Sequence, residues 1–99
     1  IWMYTGYTYL FQFLLTGAAS IYYGDEAEID GTIDSNEGCR YPMPWGKDFR
    51  GCVHYRLYHT LCALKKEHPA LRLGGMKFLY AREDTFAIAR FTGEEVIVV

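Results

Sequence analysis

The chain has 99 residues, 51% hydrophobic and 22% charged, a globular composition far from that of disordered chains. Ten Lys plus Arg against twelve Asp plus Glu give a formal charge of -2, which leaves no basic footprint for nucleic acid and no cationic helix for an anionic membrane surface. Aromatics reach 17%, with nine Tyr, six Phe and two Trp, side chains that suit sugar-binding clefts, interfaces and cores alike.

Residues 4–15 predict a helix, because Leu10, Phe11, Leu14 and Leu15 recur at spacings of three and four. Its other faces are also aromatic, so it needs neighbours on several sides, and Gly17 is the expected stop. Gly6, Gln12 and Gly17 interrupt the apolar runs and no basic residues precede them, which argues against a signal peptide or a spanning helix. Ala19–Tyr23 predicts a short strand, ended by Gly24-Asp25-Glu26. A short apolar strand after a buried helix is one unit of a parallel α/β fold, and acidic groups just beyond such a strand fall where these folds build sites. A solvated turn is the simpler alternative.

Residues 27–48 form a long irregular loop with Asp30, Asp34, Asn36, Glu37, Pro42 and Pro44, and loops of this length usually serve a site. Tyr41, Met43 and Trp45 alternate near its end and are expected to pack. A second helix is predicted over Phe49–Glu67, capped by Asp48, with Val53, Leu57, Leu61 and Leu64 as its apolar stripe. Lys65 and Lys66 suit its carbonyl pole and Pro69 stops it. Beyond Leu73-Gly74-Gly75 the period changes to two. Met76–Arg82, Thr85–Phe91 and Glu94–Val99 predict an antiparallel meander, with turns at Glu83-Asp84 and Thr92-Gly93. Such a meander needs a further layer, and the change of period marks a domain boundary near Gly74-Gly75. Ile1 is not an initiator Met, and Val96-Ile97-Val98-Val99 is a strand pattern without a terminator, so the expectation is a piece of a larger enzyme.

Cys39, Cys52 and Cys62 are odd in number and widely spaced, with neither a CxxC pair nor a disulfide framework; reduced thiols and a cytoplasmic protein are expected. His54, His59 and His68 lack metal-pair spacing and are expected on the helix surface. No phosphate loop and no G-x-S-x-G elbow occurs. What remains is carboxylates: Asp25, Glu26, Glu28, Asp30, Asp34 and Glu37. Sugar hydrolysis needs two carboxyl groups about 5 Å apart or somewhat farther. Spacing in a loop does not establish such a pair, but it is compatible with binding a hydroxyl-rich ligand.

Three ordered strings, Ile21-Tyr22-Tyr23-Gly24-Asp25-Glu26, Cys39-Arg40-Tyr41-Pro42-Met43-Pro44-Trp45 and His68-Pro69-Ala70-Leu71-Arg72, resemble the α-amylase family of glycoside hydrolases over residues 10–99. Within it the chain is most similar to neopullulanases, cyclomaltodextrinases and maltogenic amylases. The resemblance implies an α/β then all-β chain: the last strand and helix of a (β/α)8 TIM barrel in residues 1–74, then the start of an antiparallel C-terminal β-sandwich in residues 75–99. It implies a retaining hydrolase of α-glucosidic bonds in maltooligosaccharides, cyclodextrins or pullulan. A transglycosylase of the same family and a catalytically inactive amylase-like binding or scaffold domain are the alternatives. The family's catalytic carboxylates lie before Ile1, so no catalytic role falls to Asp25 or Glu26 and the fragment alone is expected to be inactive. Its share is substrate binding: Arg40, with Asp34 or Asn36, and Tyr23, Asp25, Glu26 and Trp45, the last favoured as loop packing. Thr16-Gly17-Ala18-Ala19 departs from the Gly and Pro usual before this strand and is read as local variation. The implied partners are an α-glucan oligosaccharide, the rest of its own barrel and sandwich, and a second copy in a homodimer; no cofactor, metal, nucleic acid or membrane is expected.

Overall fold

The computed structural model describes residues 2–32, 34, 36, 38 and 40–99, with the backbone alone for residues 2–4. Glu37 and Cys39, singled out above, lie outside the described residues. The described chain groups into two compact units, residues 1–19 with 61–99, and residues 20–60. This grouping places residues 61–74 with the strands.

In the first unit, helix α1 spans Trp2–Leu14. Its last turn closes with the Leu15 N–H donating to the Phe11 carbonyl at 3.2 Å. Gly17 then takes φ +90°, a left-handed value that favours glycine and ends the helix where the sequence predicts. Phe13 and Leu14 are buried, as are Leu61, Ala70, Leu71, Ile88 and Ala89, and Phe11 meets the Phe86 ring edge-on at 5.3 Å. Tyr7 stays exposed, so this helix is not covered on all sides.

Three strands form a sheet in the order β1-β2-β3: β1 Gly75–Arg82, β2 Thr85–Phe91 and β3 Val96–Val98, all antiparallel. The predicted meander is present with its turns, and β3 is shorter than the pattern because Thr92 and Glu95 bond to each other across the connection. The β1–β2 register runs from Arg82↔Thr85 to Gly75↔Phe91 and slips between Phe78 and Tyr80, so Leu79 is the extra residue of a bulge. Ile88 is wholly buried and exchanges both backbone bonds with Val99, at 2.9 and 3.0 Å. Burying such a side chain contributes about 1.5–3 kcal/mol.

Arg90, on β2, has 0% exposure. Its guanidinium donates to the Gly75 carbonyl at 3.2 Å, the Gly74 carbonyl at 3.0 Å, the Leu15 carbonyl at 3.1 Å and the Leu14 carbonyl. Two of these acceptors stand at the C-terminal pole of α1, where unsatisfied carbonyls carry partial negative charge. Lys65 reaches the same pole, its Nζ donating to the Phe13 and Leu15 carbonyls at 3.2 and 3.3 Å. Burial, then the charge of Arg90, pushes the Lys65 amine below its ordinary range. Arg90 thus ties the strands to the end of α1 and to the Gly74-Gly75 joint.

A second tie joins the β2–β3 turn to helix α3, Pro69–Arg72. Pro69 stops the preceding helix, as predicted, and opens this short one at a position that needs no N–H. The Glu95 carboxylate pairs with His68 Nδ1 and accepts from the Ala70 N–H at 3.1 Å. The hydrogen bond from His68, then that from Ala70, holds the Glu95 carboxyl below its ordinary value of 4.5. A carboxyl depressed by folding contributes stability above its unfolded pKa and loses it as pH falls through the folded value. The thermal midpoint should therefore fall as pH is lowered below about 4.5, and Glu95→Gln should flatten that fall in a pH series of melting curves.

Residues 19–23, where the second unit begins, form no ladder, although they predict a strand. A strand is stabilised by its neighbours' backbone, and among the described residues the one sheet is β1-β2-β3, which does not include this segment. Gly24 at φ +94° turns the chain into a 3-10 turn, Asp25–Ala27, closed by Ile29 and Ala27 N–H groups on the Gly24 carbonyl, each at 3.0 Å.

Helix α2 spans Val53–Glu67, starting after the predicted Phe49. Gly51 is a poor helix former, and Asp48 caps a turn of its own, accepting from the Arg50 N–H at 3.1 Å. The helix start is served instead by Glu28, whose carboxylate accepts from the His54 N–H at 3.3 Å, a negative charge at the positive pole. The buried stripe is also displaced. Val53 is 68% exposed and Leu64 is exposed, whereas His54, Tyr58 and Leu61 are buried and Leu57 half-buried. The spacing i, i+3, i+4, i+7 holds, but two of its positions carry polar handles. His54 is thus buried rather than on the helix surface, and His68 is half-buried in its pair with Glu95; His59 is exposed as expected.

Candidate functional site

Past Ile21 the chain turns at Gly24, and this turn places two tyrosines and a carboxylate together. Tyr22, Tyr23, Asp25, Ile29, Gly31 and Tyr41 line a small pocket of about 70 Å³. Tyr22 and Tyr23 lie with ring centroids 5.0 Å apart and are both exposed at its mouth. Rings offer a flat face to sugar C–H groups, and a carboxylate beside phenols offers fixed acceptors and donors to hydroxyls. Such a lining can bind a saccharide.

Asp25 is half-buried and backed by α2. Burial, then the Glu26 charge, pushes its carboxyl up from 3.8, while His54 and a hydrogen bond with Tyr58 draw it down. Glu26 turns its own carboxylate back onto the Gly24 N–H at 2.9 Å. Glu28 holds the left-handed value φ +56°, strained for a residue with a side chain, and aims its carboxylate at the start of α2. The Cys52 thiol is pushed up by burial and then by Glu28. The acidic run after the strand is therefore split: Glu26 and Glu28 build the turn, and Asp25 faces the pocket.

Of the residues singled out from the sequence, the structure brings Tyr23 and Asp25 into one pocket and sets Glu26 directly behind. Asp34, Asn36 and Arg40 are exposed on the loop and do not line it. Trp45 is 80% exposed, so it does not pack its loop as the sequence favours; it stands instead on a separate open groove with Phe49 and Tyr55. Pro42 and Pro44 precede it, and the Trp45 N–H donates to the Met43 carbonyl at 2.9 Å. Tyr22, beside Tyr23, is a lining residue that the sequence reading does not single out, and Tyr41, expected to pack, lines the pocket too. His54 and Tyr58 act on Asp25 from 29 and 33 residues downstream, which no local pattern reports.

No family model matches the chain. A cyclomaltodextrinase of Bacillus sp. is 41% identical over 80 residues, 81% of this chain and 14% of that protein. A solved cyclomaltodextrinase superposes with a TM-score of 0.81 at 35% identity, over 95% of this chain and 16% of the other. The chain belongs to the α-amylase family. A cyclic α-maltosyl-(1→6)-maltose hydrolase from Arthrobacter globiformis, solved with that sugar, matches with a TM-score of 0.80 at 33% identity, over 94% of this chain and 21% of the other. The chain thus spans about a sixth of the length of these α-amylase-family relatives. Its helices followed by an antiparallel sheet are the end of a TIM barrel passing into a β-sandwich. Among the described residues no helix is long and apolar enough to cross a membrane.

Proposed function

We propose that the protein is a retaining glycoside hydrolase that cleaves α-glucosidic bonds in maltooligosaccharides, cyclodextrins or pullulan, and that this chain supplies one wall of its sugar cleft. The likeness over nearly the whole chain to a cyclomaltodextrinase and to a hydrolase solved with a cyclic maltosyl sugar carries this reading. In such a reaction an acid protonates the glycosidic oxygen, a carboxylate forms a covalent glycosyl-enzyme, and water releases the sugar. Those carboxylates come from earlier barrel strands. Glu26 is engaged by its own turn and Asp25 is backed by Tyr58 and His54, which suits binding rather than bond breaking.

Within the cleft wall, Tyr23 and Asp25 take one sugar unit in the pocket with Tyr22 and Tyr41, and Glu26 fixes the turn that presents them. Arg40, with Asp34 and Asn36 on the same exposed loop, reaches sugar beyond the reacting unit; a guanidinium fork suits paired hydroxyls. Residues 1–74 are taken as the end of the barrel and residues 75–99 as the start of the sandwich. The free thiols Cys52 and Cys62 support a cytoplasmic protein, and a homodimer is the expected assembly. Arg40→Ala in the full-length protein should raise KM for maltoheptaose about tenfold and change kcat on maltotriose by less than about threefold. An unchanged dependence on chain length would remove Arg40 from the wall.

A further inference from the structure

Asp25 is held from behind by residues that do not line its pocket. Tyr58 lies on α2, buried and away from the pocket lining, yet it donates a side-chain hydrogen bond to the Asp25 carboxylate. His54, one turn earlier on the same buried stripe, acts electrostatically on that carboxyl.

The turn and the helix are joined at a second point. Glu28, at φ +56°, aims its carboxylate at the start of α2 and accepts from the His54 N–H at 3.3 Å. A left-handed backbone is costly for a residue with a side chain and persists only where the surroundings hold it. Two bonds, Glu28 to the first turn of α2 and Tyr58 to Asp25, therefore fix the turn after Gly24 against the helix. Asp25, Glu28, His54 and Tyr58 all belong to the second compact unit.

Without this support Asp25 would be a poor ligand. Burial, then the Glu26 charge, push its carboxyl up, while His54 and the Tyr58 bond draw it down. A side chain left to rotate also loses freedom when it binds. One phenol bond removes that freedom beforehand and leaves acceptor capacity, since a carboxylate offers about four lone-pair sites.

We propose that Tyr58 is a positioning residue of the tyrosine pocket: its hydroxyl holds the Asp25 carboxylate in the orientation that accepts from a sugar hydroxyl, and Glu28 braces the helix that carries it. This rests on the reading of the pocket as a site for one sugar unit.

A double-mutant cycle in the full-length protein tests this. The probe is maltotriose with sulfur in place of its glycosidic oxygens, which resists hydrolysis, and Kd is read by titration calorimetry. Calorimetry separates Kd from the fraction of protein that is folded, and Tyr58→Phe keeps the ring that packs α2. Asp25→Ala should weaken binding about tenfold and Tyr58→Phe about fivefold. Added to Asp25→Ala, Tyr58→Phe should change Kd by less than about twofold, because the hydroxyl acts only through that carboxylate. An unchanged Kd for Tyr58→Phe beside a weakened Asp25→Ala overturns the proposal alone, whatever the melting temperature. So does a fivefold loss that persists on the Asp25→Ala background, which would make the role of Tyr58 a structural one. An unchanged Kd for Asp25→Ala removes the pocket as a sugar site and the proposal with it. The predicted pattern in a protein that releases no sugar from maltotriose would support the positioning and count against the hydrolase reading alone.

Discussion

Arg90→Met is expected to lower the stability of the folded protein by about 3–5 kcal/mol, seen as a lower urea midpoint at constant slope. The methionine fills most of the volume, so the loss is polar. Carbonyls of Leu14, Leu15, Gly74 and Gly75 would each lose a donor in a site with no exposure at the side chain that served them. A buried acceptor left alone costs roughly 1–3 kcal/mol, and hydrogen bonds from a charged donor are the stronger kind. Arg90→Lys should recover only part of the loss, because an ammonium is a point donor and cannot span acceptors on both α1 and the Gly74-Gly75 joint. Equal midpoints for Arg90→Met and the parent protein would show that the clamp does not hold the strands.

The second large effect is at the same joint. A Cβ placed on Gly74 would lie 2.3 Å from the Ala70 carbonyl oxygen, 2.6 Å from the Phe91 carbonyl oxygen and 2.9 Å from the Ala70 Cα. All three are backbone atoms, which yield only if α3 and β2 move apart. Gly74→Ala should therefore cost about 3 kcal/mol or more in the same urea titration. Gly75→Ala is the control, since the three atoms nearest its Cβ all belong to the Phe91 ring, the first at 2.8 Å, and a ring can swing. It should cost about 1 kcal/mol. A larger loss for Gly75→Ala than for Gly74→Ala would contradict the close approach at Gly74.

The joint also separates what the sequence shows from what it conceals. The strands were legible because period two continues through Met76–Arg82 and Thr85–Phe91, and Glu83-Asp84 is turn chemistry at the right length. Gly17 and Pro69 were legible as stops for the same local reason. Arg90 was not, because in a strand pattern it reads as a solvent-facing charge; only the distant α1 carbonyls make its burial tolerable. Likewise the stripe of α2 was read from aliphatic residues alone, and the structure rotates it onto His54 and Tyr58, whose polar atoms belong to the environment of Asp25. Ala19–Tyr23 has the right composition for a strand, yet a strand also needs a neighbour.

For the candidate site, Tyr23 and Asp25 stand in the ordered strings of the sequence and line one pocket, whereas Trp45, expected to pack its loop, is exposed on a separate groove. The alternation of Tyr41, Met43 and Trp45 suggests packing of all three, yet Tyr41 and Met43 are half-buried and the indole is exposed. The assignment of Glu26 and Glu28 to turn building followed from bonds to Gly24 and His54, one local and one 26 residues away. Only the first of these could have been anticipated from spacing.

The central claim is that this α-amylase-family chain binds sugar for a reaction whose carboxylates lie elsewhere in the protein. It is tested most directly by measuring reducing-sugar release from β-cyclodextrin and maltotriose by the full-length protein and by the 99-residue chain at equal molar concentration. The account predicts turnover by the full-length protein and none by the chain. Turnover by the 99 residues that Asp25→Asn abolishes would contradict it, as would a full-length protein that releases no sugar from either substrate.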